Sequence, residues 1–238
     1  MEAMVVIVFI VVLLLAVGSR LSGDSSAVKK EDGKSIEEKH MGFVIRDGTT
    51  SSASETGYSM VGVIIDYVDN FIFGLETLTP VIHKHILSQP SARSHLLIYS
   101  YSSFYVYCCE VLHVDDLALV SMLEGLKKGV LDSLGPSLNV EQQSIAIESF
   151  SNVFRLYMHE LIEEVYQEET KNQLGQINLD SPSSSINRLA ENIIPHSTSP
   201  QAPLEASLFK MQLTGNFGIA FMTFLLNEVE LRYINEND

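Results

Sequence analysis

From Tyr58 onward the chain repeats its apolar residues with the period of an α-helix, and this limits the fold more than any other feature. Val61, Ile64, Ile65, Val68, Ile72, Leu75 and Leu78 recur at spacings of three, four and seven, which sets them on one helix face. Asp66, Asp69, Asn70 and Glu76 fall outside that face. Pro80 interrupts the segment, residues 81–87 continue it as a short helix, and Gln89-Pro90-Ser91 is a break.

Residues 94–113 are apolar and aromatic, with Leu96, Leu97, Ile98, Tyr99, Tyr101, Phe104, Tyr105, Val106 and Tyr107. A strand is conceivable on composition, but the stretch is long for one and has no turn signal, so a buried helix is expected. The next helix runs from about Asp115 to Leu134 and carries Leu119, Met122, Leu123, Leu126 and Val130 on one face. Gly135-Pro136 is its stop signal. Asn139, with Gln142 three residues on, reads as a capping box. It opens a long helix with the stripe Ile147, Phe150, Phe154, Tyr157, Met158, Leu161 and Val165. Glu160, Glu163, Glu164, Glu168 and Glu169 are expected on its other face, as an acidic interaction surface. A polar, Ser- and Pro-rich insertion at 175–203 follows, with a short helix near 186–194. A final helix is expected over 204–233.

The fold class is therefore all-α: a single helical bundle of about five helices over residues 57–233. Before it, residues 19–56 are rich in Ser, Gly, Lys and Glu and read as a flexible polar stalk, with a short strand conceivable at 41–46. Residues 1–18 hold an unbroken apolar run from Met4 to Val17. As a helix it spans about 21 Å, against a hydrocarbon core of about 30 Å, which suits the core of a signal peptide. Ala16 and Gly18 have the small-residue spacing of a cleavage site. Against cleavage, the n-region has Glu2 and no base, whereas Arg20, Lys29 and Lys30 follow the run, as for a retained anchor. Secretion and single-pass anchoring through residues 4–18 both stay open. No second spanning candidate is expected, because the other apolar stretches carry Asp66 and Asp69 or several Ser and Tyr.

The chain has 30 acids against 15 bases, a net charge of −15. That argues against a nucleic-acid partner and favours a soluble, self-repelling acidic surface, with a basic protein partner as the alternative. Hydrophobic residues make up 46 % of the sequence, enough to bury a core. Cys108 and Cys109 are adjacent and cannot easily bridge each other, so no internal disulfide framework is expected. They have no neighbouring cation to activate a thiolate, and read as small buried groups.

Candidate chemistry is thin. Glu110 and His113 stand three apart, the spacing used in di-iron bundles, but the only other such pair is Glu37 with His40 in the stalk. His159-Glu160 with Glu163 echoes half of a zinc-hydrolase helix and lacks the second His. His83 and His85 point to opposite sides of a helix. No nucleophile-elbow, Walker or dinucleotide glycine pattern occurs. Tyr99, Tyr101, Tyr105 and Tyr107 suit a core better than a pocket. No catalytic residue, metal ligand or cofactor is assigned, and the expectation is a non-enzymatic interaction or structural protein that uses either an acidic helix face or an apolar groove.

Two short segments resemble known families. Leu112-His113-Val114-Asp115, then Leu134-Gly135 and the long helix from Asn139, resemble the last two helices of globins, and Phe73-Gly74 to Thr79-Pro80 looks like an earlier turn of that family. This resemblance implies a ligand-carrying helical protein with haem, or lipid, between helices, although Cys108 stands where the haem-ligating His would fall. Gly215-Asn216-Phe217-Gly218-Ile219-Ala220-Phe221 is similar to the signature segment of Bcl-2-type regulators, with Phe217 for the expected Trp and Ile219 for the expected Arg.

Overall fold

The structure, a computed structural model, describes residues 42–44, 50–134, 138–173, 184–194 and 202–234. The apolar run at 1–18, His40, His196 and the Gly135-Pro136 stop lie outside them.

The fold is all-α, with seven helices and one small sheet among the described residues. Helix α1 spans Ala53–Leu78. It starts ahead of the expected boundary because Ser52 and Glu55 form a capping box. The Ser52 hydroxyl accepts the Glu55 N–H at 3.3 Å, and the Glu55 carboxylate accepts the Ser52 N–H at 3.0 Å. The N–H bond from Ser52 holds the Glu55 carboxyl below its usual pKa. Helix α2 (Pro80–Ser88) and helix α3 (Pro90–Val106) each begin with proline at the first turn, where its missing N–H costs nothing.

Helix α3 is the centre of the bundle. It packs against α1, α2, α5 and α6, and is buried on nearly every side, which is why it shows no one-sided stripe. Its serines are internal. Ser100, Ser102 and Ser103 donate back to the carbonyls of Leu96, Ile98 and Tyr99, at 2.8, 2.9 and 3.0 Å. Ser102 also reaches the Phe154 carbonyl at 3.1 Å, tying α3 to α5. A π-helical turn, Tyr107–Val111, extends α3. The chain then reverses through His113, whose φ of 52° is left-handed.

Helix α4 (Asp116–Leu134) is capped by Asp115, which accepts the N–H groups of Leu117 and Ala118 at 3.0 and 2.9 Å. Helix α5 (Val140–Gln173) opens with the expected box: Asn139 and Gln142 exchange bonds of 3.0 and 2.9 Å. Helix α6 (Ser184–Ile193) lies inside the expected polar insertion and turns Ile186, Leu189, Ala190 and Ile193 inward. Helix α7 begins as Ala202–Leu213 and continues through a π-helical stretch, Thr214–Ala220, a short α-turn, Phe221–Phe224, and a second π-turn, Leu225–Val229.

Two sequence expectations change at the ends of the domain. The last helix does not reach Tyr233. It stops at Val229, Glu230 takes a left-handed φ of 48°, and Arg232–Ile234 is a strand, β3. The short strand conceivable at 41–46 is present at residues 42–44, and residues 50–56 are folded rather than stalk. Gly42–Val44 (β1) pairs antiparallel with both Thr50–Ser51 (β2) and β3, with Phe43 opposite Tyr233. Phe43 is fully buried, and its ring centroid lies 5.2 Å from that of Tyr233. The Tyr233 hydroxyl donates to the Asp115 carboxylate, so the sheet clamps both ends of the described chain onto the start of α4.

Helices α1 and α4 approach backbone to backbone. A methyl group added at Gly57 would lie 2.0 Å from the Met122 carbonyl oxygen, and one at Gly125 would lie 1.9 Å from that of Ser54. Only glycine fits those two positions. Helix α1 is also long and apolar enough to cross a membrane, so on length and composition a second spanning candidate exists after all. Within the bundle its stripe is core: Met60, Val61, Ile64, Val68, Ile72 and Leu75 are all buried.

Candidate functional site

The expected acidic face on α5 is divided. Glu163 is exposed and sits 3.6 Å from the His159 Nδ1. Glu160 and Glu164 turn inward to α6. Glu160 is buried and pairs with Arg188, 28 residues further on. Glu164 accepts the Ser185 N–H at 2.6 Å and its hydroxyl at 2.8 Å, which caps the start of α6. Glu168 and Glu169 belong to α5, but their side chains lie outside what the structure describes. Two of the five glutamates therefore hold the fold together.

Around them runs a polar seam between α3, α5 and α6. The Tyr99 hydroxyl meets the Ser185 hydroxyl at 3.1 Å. The Tyr157 hydroxyl meets His95 Nδ1 at 2.9 Å and accepts from the Asn192 amide at 3.0 Å. Burial pushes the phenols of Tyr99 and Tyr157 well above their usual pKa and lowers that of His95, so all three are neutral at pH 7. The seam joins helices, and the second carboxylate oxygen of Glu160 is buried in it without a hydrogen-bond partner among the described residues.

The other candidates do not come together. Glu110 sits on the π-turn and His113 on the left-handed reversal, so they do not share an α-helical face. Phe73 and Gly74 lie inside α1, and the turn falls at Thr79. Cys108 is fully buried and Cys109 partly so. Burial raises both thiols, Cys109 to about 11, and its bond to Glu110 pushes the same way. Neither has thiolate character at neutral pH. Among the described residues no three His, Cys, Asp or Glu side chains converge as metal ligands.

What composition did not point to is an open groove between α1 and α7, with a volume of about 280 Å³. Tyr67, Asn70, Phe71 and Gly74 line it from α1, and Gln212 and Asn216 from α7. The α1 set follows from helix geometry, since residues three, four and seven apart share a face. Aromatic rings form the base: Phe217 stands edge-on to Tyr67 and Phe71, with centroids 5.9 and 4.9 Å apart. The Tyr67 hydroxyl donates to the Asn216 carbonyl at 2.6 Å, and burial raises its pKa to about 12. The Gln212 amide oxygen is buried in the wall and has no hydrogen-bond partner among the described residues. An added methyl at Gly74 would meet nothing within 4 Å. Phe73 and Met211, which are next in sequence to lining residues but do not line the groove, are 74 % and 71 % exposed.

Comparison with known proteins finds no matching family, no matching curated protein and no matching solved structure.

Proposed function

We propose that this is a non-enzymatic helical interaction protein, secreted or tethered at a membrane, that binds a protein partner through the α1–α7 groove. The observation that carries this reading is the open groove itself, lined by Tyr67, Asn70, Phe71 and Gly74 of α1 and by Gln212 and Asn216 of α7. Groove size favours a protein partner over a small ligand. A volume of about 280 Å³ lies at the lower edge of sites for drug-sized molecules, which run from about 300 to 1,000 Å³. It suits one or two side chains of a larger partner.

A photo-crosslinking residue at Met211 tests this in full-length protein made in a secretory host. Val120, an exposed residue of α4, is the control position. Discrete adducts at Met211 and none at Val120 are expected. Equal labelling at both positions, or none at either, contradicts the reading.

A further inference from the structure

We infer that α6 is an acid-sensitive latch: it stays docked on α3 and α5 while His95 accepts a hydrogen bond from Tyr157, and it loosens when His95 takes up a proton. The latch is independent of the groove between α1 and α7.

One shared hydroxyl closes it. Tyr157 of α5 is fully buried, and its oxygen accepts from the Asn192 amide of α6 at 3.0 Å. The hydroxyl has a single hydrogen. Among the described residues its acceptor is Nδ1 of His95, on α3, at 2.9 Å. That fixes the neutral ring with its own hydrogen on Nε2. A protonated ring carries a hydrogen on both nitrogens. Nδ1 then aims a donor at an oxygen that already accepts from Asn192, and the Tyr157 hydrogen loses its acceptor inside the bundle. Moving α6 away returns these groups to water.

The charges around the seam are engaged elsewhere. Glu160 of α5 pairs with Arg188 of α6, and Glu164 holds Ser185. Lys210 of α7 reaches Asn187 at 3.2 Å, and Asp69 of α1 holds Arg93 of α3. His83, Lys84 and His85 lie on α2. Burial, rather than any of these charges, lowers the His95 pKa. A lowered folded-state value means that the undocked state binds the proton better. Docking is therefore at full strength above the usual His pKa of about 6.5, and weakens as pH falls through it. Glu160, whose second carboxylate oxygen is buried and unpartnered, is the rival source of an acid response. A loosened α6 would bare Ile186, Leu189, Ala190 and Ile193, which now face inward.

Hydrogen exchange on the full-length protein tests this, with rates corrected for the intrinsic effect of pH and α4 as the internal reference. From pH about 7.5 to about 5, protection of α6 should fall several-fold while that of α4 holds. His95→Gln keeps an acceptor for Tyr157 and does not titrate, so its α6 protection should be flat. Glu160→Gln should keep the fall. No fall in wild type, a fall that persists in His95→Gln, or its loss in Glu160→Gln overturns the inference. The ring nitrogens of His95, read by NMR in wild type, give a test that needs no variant to fold. The hydrogen is expected on Nε2 at neutral pH, with a midpoint below about 6.5. A hydrogen on Nδ1, or a midpoint at or above that value, overturns the latch.

Discussion

Helix α1 meets α4 along one side and α7 along the other, and the glycines differ between the two contacts. Against α4, Gly57 and Gly125 each face a partner backbone carbonyl about where a Cβ would sit. The helices touch backbone to backbone, and no room is left for any other residue. Against α7, Gly74 faces open space. A helical glycine costs about 1 kcal/mol relative to alanine. On the α4 side close packing offsets that cost. On the α7 side nothing within the described structure does, although the aromatic base formed by Phe217, Tyr67 and Phe71 keeps the two helices joined. The difference separates a contact that is complete from one with room for a further component.

The aromatic base is the strongest lever on the comparison. Phe217 is 2 % exposed and also meets the Tyr99 ring, with centroids 6.1 Å apart. Phe217→Ala should lower stability by about 4 kcal/mol in urea unfolding. A loss below about 1 kcal/mol would mean that α7 is not held by this cluster. Next comes the seam that fixes α6. Ser185→Ala removes the bonds to Tyr99 and to Glu164 and leaves a carboxylate with an acceptor unmade, so a loss of about 2 kcal/mol is expected.

A smaller effect comes from the clamp on α4. The Tyr233 hydroxyl first, and then the backbone N–H groups of Ala118 and Leu117, favour the charged form of Asp115 and hold its pKa below the usual value. A depressed folded-state pKa adds stability that is present above the unfolded pKa of about 3.9 and is lost as pH falls through the lower folded value. Stability should therefore fall less steeply in Asp115→Asn than in wild type as pH drops from about 5 to 2. Parallel curves would show that the clamp has no electrostatic part. The smallest effect belongs to Glu163, which is exposed beside His159. Glu163→Ala should change stability by less than about 0.5 kcal/mol, whereas Glu160→Ala, which strands Arg188, should cost more.

The helices were largely legible where one side is wet. The stripe of α1 and the Asn139–Gln142 box of α5 are both present in the fold. Helix α3 was recognisable by length and composition alone, because a helix buried all round has no period to display. The start of α1 was legible too, in Ser52-Ala53-Ser54-Glu55, but the surrounding Ser and Thr gave the same letters the look of a polar stalk. The end of α7 had no such signal: Glu230 adopts a conformation usually left to glycine, and no Gly or Pro precedes β3. The groove was hidden for a related reason. Gly74 reads as a helix breaker until the facing helix is known, and Gln212 lies 138 residues from it, at the far end of the chain. The acidic run misled because sequence does not reveal pairing across the fold, and Arg188 and Ser185 meet Glu160 and Glu164 from beyond a polar segment.

The most direct measurement sets the two faces of α1 against each other by urea unfolding of Gly125→Ala and Gly74→Ala. Gly125→Ala should lose about 3 kcal/mol, because its methyl group meets backbone that cannot give way. Gly74→Ala should gain about 0.5–1 kcal/mol, because it relieves a helical glycine and meets nothing. Similar losses in both variants would mean that α1 is packed on both sides, and would contradict the open groove on which the proposed function rests.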